Sequence, residues 1–100
     1  MDAVLRRYII HGKVQKVGFR KWTKKYALEL NINGFCRNRT DGTVEVVVGS
    51  NDEEALNAFE KLLYEGPKRA EVERVDKKKR TREVKPGFKI YKTKELNREE

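Results

Sequence analysis

The stretch FCRNRTDGTVEVVVGS, residues 35–50, decides the fold. At its centre Arg39-Thr40-Asp41-Gly42 carries Asp-Gly, a strong short-range hairpin signal. Thr43 to Val48 follows as the clearest strand of the chain. Val44, Val46 and Val48 share one face, with Thr43 and Glu45 on the other. Phe35 to Asn38, before the turn, is a second short strand. After the hairpin, Ser50-Asn51-Asp52-Glu53 has the Ser-x-x-Glu form of a capping box. It opens a helix with Ala55, Leu56, Phe59, Leu62 and Leu63 on one side, and Gly66-Pro67 stops it.

Upstream, Val4 to Ile10 reads as a strand and Gly12 to Gly18 as a loop bounded by glycines. Phe19 to Leu30 reads as a helix with Phe19, Trp22, Tyr26, Ala27 and Leu30 on one face. Lys21, Lys24, Lys25 and Glu29 cover much of the other. Downstream, Glu71 to about Arg80 is a strand with many polar residues. Pro86-Gly87 is a turn and Phe88 to Tyr91 a last short strand. The order is β-α-β-β-α-β, with room for one extra short strand. That order predicts an α+β ferredoxin-like split βαβ sandwich: an antiparallel sheet with two helices on one face. Strands one and two run parallel, joined by a right-handed crossover, and the third inserts between them. The second sheet face is expected to meet solvent. Residues 1–93 form one domain in this reading and 94–100 a charged tail, with no repeat and no linker.

Of the 100 residues, 37% are hydrophobic and 40% charged, with a formal net charge of +8. The periodic apolar residues argue for a folded domain over disorder. The positive charge selects anionic partners without choosing among phosphorylated small molecules, nucleic acids and acidic lipids. Cys36 is the one cysteine and His11 the one histidine. An internal disulfide is therefore excluded, and a structural transition-metal site is not expected. Without a long apolar run to mark a signal peptide or membrane span, the expected location is the cytoplasm.

Parallel first and second strands end at the same edge of the sheet. The loop Gly12-Lys13-Val14-Gln15-Lys16-Val17-Gly18 leaves one of them, and Asn38 ends the other. The loop runs into a helix N-terminus, where free N–H groups and the helix dipole favour an anion. Arg20, in the first turn, has a guanidinium that can grip a phosphate with two parallel hydrogen bonds.

Gly12-Lys13-Val14-Gln15-Lys16-Val17-Gly18-Phe19-Arg20 resembles the first signature of the acylphosphatases. Gly34-Phe35-Cys36-Arg37-Asn38, followed by Asp41-Gly42-Thr43-Val44-Glu45-Val46, resembles their second. The two blocks stand in the family's order and at its usual separation. The resemblance implies hydrolysis of the carboxyl–phosphate bond of small acyl phosphates to a carboxylate and inorganic phosphate, without metal or organic cofactor. A monomer is expected. Arg20 matches the phosphate-binding arginine and Asn38 the asparagine that orients the attacking water. Gln15, Lys16, Val17, Gly18 and Phe19, with Arg20, match the phosphate-binding site, in which the loop from Gln15 to Phe19 is the backbone cradle. Lys16 departs from the pattern, which has glycine there. A positive φ at this position would strain a lysine. Its side chain could crowd the phosphate or add a cation beside it.

Blander readings stand beside these. Arg20 could be an exposed helix arginine, and Asn38 could merely start the turn. Cys36 is expected to face the helices as an inert small hydrophobe. A structural role is preferred for His11. Lys77-Lys78-Lys79-Arg80-Thr81-Arg82 is the best rival signal, for a nucleic-acid patch; the alternative function is a basic phosphate- or RNA-binding module with little turnover, its activity lost through Lys16. RNA-recognition modules on this fold stack bases on an aromatic-rich sheet, and these strands carry no such block. A solvated edge that resists strand pairing explains the run, and nucleic acid is not the expected partner.

Overall fold

The computed structural model describes residues 4–93. The stretch 94–100, expected as a charged tail, lies outside the described residues. The elements are β1 (Val4–Lys13), α1 (Phe19–Glu29), β2 (Asn33–Asn38), β3 (Val44–Ser50), α2 (Glu53–Glu65), β4 (Glu71–Lys79) and β5 (Phe88–Ile90). They form one five-stranded sheet in the order β4-β1-β3-β2-β5. Strand β3 is antiparallel to both β1 and β2, so those two run parallel with β3 between them. The extra strand is β5, which pairs parallel with β2 at the edge opposite β4.

Strand β3 can sit at the centre because every one of its residues is buried. Val44, Val46 and Val48 join the core with Tyr8, Ile10 and Cys36 from the neighbouring strands. Phe19 and Ala27 of α1 and Leu56, Phe59 and Leu63 of α2 pack onto them, with Val14, Val17, Ile32 and Phe88 from the connections and β5. Thr23 is buried on the same side of α1, although its residue type gave no sign of that. Helix α2 begins two residues later than the capping-box reading. Its N-cap is Asp52, which accepts from the Ala55 N–H, while Ser50 Oγ accepts from the Asp52 N–H. Asp caps as well as Ser, and with Asp52 as cap both Glu53 and Glu54 fall in the first turn, where the helix dipole favours them.

Strand β1 continues three residues past the expected Ile10, because Gly12 lets β4 come close. The β1–β4 register shifts between His11 and Gly12, where φ is 125°. A Cβ at Gly12 would collide with the Glu71 carbonyl oxygen. Strand β4 is an edge strand and carries Lys77 to Lys79, the solvated edge expected for the basic run. Lys77 Nζ lies 3.2 Å from Glu60 on α2. No helix among the described residues is long and apolar enough to cross a membrane.

The second sheet face does not simply meet solvent. Ile9, Glu45 and Val47 on that face are all buried. Arg7 and Arg37 lie along the sheet and donate from Nε to the two oxygens of Glu45, at 2.6 and 2.7 Å. Phe35 stacks on Tyr91 at 4.8 Å, and the guanidinium groups of Arg37 and Arg80 lie over the Phe35 ring. Long basic side chains cover apolar surface with their stems while their heads stay paired.

Burial alone would push the Glu45 carboxyl up, but the two guanidinium bonds outweigh it and hold it below the usual range. A depressed folded-state pKa contributes stability above the unfolded value, and that contribution is lost as pH falls through the folded one. Glu45→Ala leaves two half-buried guanidinium groups facing each other. It should lower stability by about 3 kcal/mol, the low end for breaking a buried pair. Urea unfolding at neutral pH checks this. The gap between variant and wild type should narrow in acid, where Glu45 of the wild type is protonated.

Candidate active site

The sheet register sets the two halves of the site side by side. Val44 of β3 is the partner of Ile10 in β1 and of Asn38 in β2. Asn38 therefore shares Val44's face of the sheet, the face that carries the helices. From the same level β1 runs on to Lys13, and the chain turns through residues 14–18 into α1. Gly18 is the N-cap of α1, with φ 76° and no side chain to cap the helix. The first-turn N–H groups are thus left for an outside acceptor. Lys16 is also left-handed, with φ 62°, so the lysine sits where the sequence expects strain.

Arg20 and Asn38 line one cleft of about 280 Å³. The loop contributes Lys16 and Gly18, and the first turn of α1 contributes Phe19 and Lys21. Val14 and Ile90 close the cleft with apolar surface. Asn38 Oδ1 is buried and has no hydrogen-bond partner among the described residues. Behind the cleft, Cys36 Sγ donates to the Arg20 carbonyl oxygen at 3.7 Å, tying β2 to α1. Burial pushes the Cys36 thiol up to about 12, so it is the inert core residue expected.

Gln15 and Val17, expected to lend their backbone to the cradle, have their side chains placed elsewhere. Val17 is buried in the core cluster. Gln15 Nε2 donates to the carbonyl oxygens of Arg39 and Thr43, at 2.8 and 2.9 Å. The Arg39 N–H donates to the same Thr43 oxygen, and Asp41 Oδ1 accepts from the Thr43 N–H and hydroxyl. Gln15 thereby fastens the loop to the turn that begins directly after Asn38. His11 is elsewhere, bonded to Asp76 at 2.8 Å and close to Arg74 on the second sheet face.

Sequence reasoning missed Val14, Lys21 and Ile90. Lys21 follows Arg20 in the first turn, so the anion-seeking helix end was its available signal. Nothing in the sequence places Ile90 here, because that follows from β5 pairing with β2. The polar side chains lining the cleft are Lys16, Arg20, Lys21 and Asn38: three cations, one amide and no carboxylate. Such a cleft suits a multiply charged anion. Among the described residues, no group of three or more His, Cys, Asp or Glu side chains is placed to hold a metal ion.

The family model described as Acylphosphatase matches residues 6–90. An acylphosphatase of Borrelia garinii subsp. bavariensis is 44% identical over 73 residues, covering 73% of this chain and 78% of the relative. The structure of an acylphosphatase from Coxiella burnetii superimposes with a TM-score of 0.83 at 29% identity, covering 90% of this chain and 94% of that one. The crystal structure of acylphosphatase from Bacillus subtilis gives 0.80 at 31% identity, covering 87% and 97%. Matched along nearly its whole described length by sequence and by fold, this chain belongs to the acylphosphatase family.

Proposed function

We propose that this cleft hydrolyses small acyl phosphates, with Arg20 and the loop N–H groups holding the phosphate and Asn38 aiming the water. The observation that carries the reading is Asn38 Oδ1, a buried acceptor without a partner, on the cleft that Arg20 also lines. A buried acceptor is satisfied by a donor, and a water beside the bound phosphate supplies one. Residues 1–93 are taken as the acylphosphatase domain, a span that rests on the family match over 6–90.

In the step itself, water attacks phosphorus and the bond from phosphorus to the acyl oxygen breaks. The carboxylate leaves with the bonding electron pair, and inorganic phosphate forms. A carboxylate departs without a strong general acid. The amide of Asn38 can accept from the water but is no strong base, so the water's proton passes to a phosphate oxygen. The protein's part is positioning and charge stabilisation, which dominate phosphoryl transfer. Arg20 and the N–H groups of the cradle meet the equatorial oxygens as charge shifts.

The test is benzoyl phosphate hydrolysis by purified protein with a metal chelator present. Acceleration over the buffer rate from mildly acidic to neutral pH is expected, with inorganic phosphate as a competitive inhibitor. A rate equal to buffer across that range would leave the protein as a basic phosphate-binding module.

A further inference from the structure

The sheet face away from the helices carries charge that the hydrolase reading does not use. On sequence the basic run 77–82 reads as a solvated edge, but in the fold it divides. Lys77 turns toward α2, with Nζ 3.2 Å from the Glu60 carboxylate. Lys78 stands opposite Arg7 in the register and so takes the other face. Arg80 joins it there, its guanidinium 5.8 Å from the centre of the Phe35 ring. Arg7 and Arg37 lie beside Glu45, Arg74 beside Asp76, and Lys89 opposite Phe35. The cations therefore outnumber the strand carboxylates that answer them, Glu45 and Asp76. Arg7 and Arg37 each commit Nε to Glu45, and neither guanidinium makes another hydrogen bond among the described residues. The ends of both forks are left for an outside acceptor. Burial, with the neighbouring guanidinium groups of Arg82, Arg7 and Arg37, holds Arg80 below the usual arginine range, and an anion relieves crowding of that kind. Beside these cations Phe35 and Tyr91 form a ring pair 4.8 Å apart and 26° from parallel, half-buried and not sealed. Rings flanked by guanidinium planes offer a surface on which a base can stack.

We infer that this face binds single-stranded nucleic acid, with Arg7, Arg37, Lys78 and Arg80 tracking the phosphates and bases stacking at the Phe35–Tyr91 pair. This sets aside the sequence expectation, which saw the basic run but not the rings and arginines that the sheet gathers beside it. An acidic polypeptide would meet the cations and leave the rings unused. A duplex keeps its bases stacked inside and has none to offer. A single strand presents both chemistries at once. None of these residues lines the cleft, so binding on this face and hydrolysis are separable.

The experiment follows the fluorescence anisotropy of a labelled oligouridylate of about 12 nucleotides, a length one stacking surface can span, titrated with the full chain. Kd should be on the order of 10 µM at about 50 mM salt and rise about 20- to 50-fold by about 200 mM, as for three or four single-strand phosphate contacts. Lys78→Gln with Arg80→Gln removes two cations that take no part in the Glu45 bonds, so the sheet stays intact. That pair should weaken binding about tenfold and lower the salt slope by about 1.4. Tyr91→Leu should weaken it about fivefold at an unchanged slope, the loss of one stacked base. Lys25→Gln with Lys61→Gln removes equal charge from exposed positions on the helices and should leave Kd within about twofold, because distant charges are screened. Each variant should keep the wild-type unfolding midpoint within a few degrees, which shows it folded. No anisotropy change at about 50 mM salt, or an equal loss from the helix pair, would overturn the inference. So would a duplex of the same length, or polyglutamate, that competes as well as unlabelled oligouridylate.

Discussion

Arg20→Ala should lower kcat/KM for acyl phosphates by on the order of 10³-fold, the scale on which a phosphate-gripping arginine acts in phosphoryl transfer. The guanidinium is planar and offers two parallel N–H donors to one phosphate. It enters the cleft from the first turn of α1, directly after the left-handed Gly18. In the proposed site, side chain and backbone donors would meet the same anion. Removing the side chain leaves the N–H groups, so weak binding of inorganic phosphate should survive, with both KM and kcat impaired. The fold should hold. Alanine is a good helix former, and the contact from Cys36 Sγ is made to the Arg20 backbone carbonyl, which the substitution keeps. Arg20→Lys should fail nearly as badly, since an ammonium cannot reproduce the fork. Steady-state kinetics beside an unfolding curve decide the matter. A stable Arg20→Ala protein with near-normal kcat/KM would place the phosphate elsewhere.

The frame of this site was legible because it rests on local patterns. Asp41-Gly42 fixed the hairpin, alternating valines fixed the buried face of β3, and parallel β1 and β2 then had to end together. Arg20 and Asn38 share a cleft for that reason. What escaped the sequence depends on contacts between distant residues. Strand β5 is three residues long, and its pattern announces a strand without saying which edge it joins; Ile90 enters the cleft only through that choice. Glu45 reads as a solvent-facing charge by alternation, but residues from β1 and β2 close over it, and two arginines make burial tolerable. Gln15 reads as a backbone member of the cradle, which says nothing of its side chain. Its amide bonds carbonyls 24 and 28 residues further on, a distance that no local pattern reports.

Asn38→Ala should separate turnover from binding. In the proposed division of roles Arg20 and the loop hold the anion, whereas Asn38 lines the cleft from the end of β2. Its Oδ1 is buried and without a partner among the described residues. A buried acceptor of this kind is unfavourable unless a donor reaches it, and water beside the phosphate is the donor that also reacts. Held by one strong acceptor, that water faces phosphorus with its lone pair free. Without the amide it samples many orientations, and misplacement of about an ångström can cost on the order of 10²-fold. Asn38→Ala is therefore expected to lower kcat by on the order of 10²- to 10³-fold, as removal of one aimed polar group does elsewhere. The inhibition constant for inorganic phosphate should stay within a few-fold of wild type. The neighbouring turn should persist, because Gln15 holds it through the Arg39 and Thr43 carbonyls and not through Asn38. Asn38→Asp sharpens the test. It keeps the shape and an acceptor but places a negative charge beside the phosphate, so phosphate inhibition should weaken along with kcat. Should Asn38→Ala lose phosphate inhibition in parallel with turnover, Asn38 would be holding the anion, and the division of labour between the two residues would have to be redrawn.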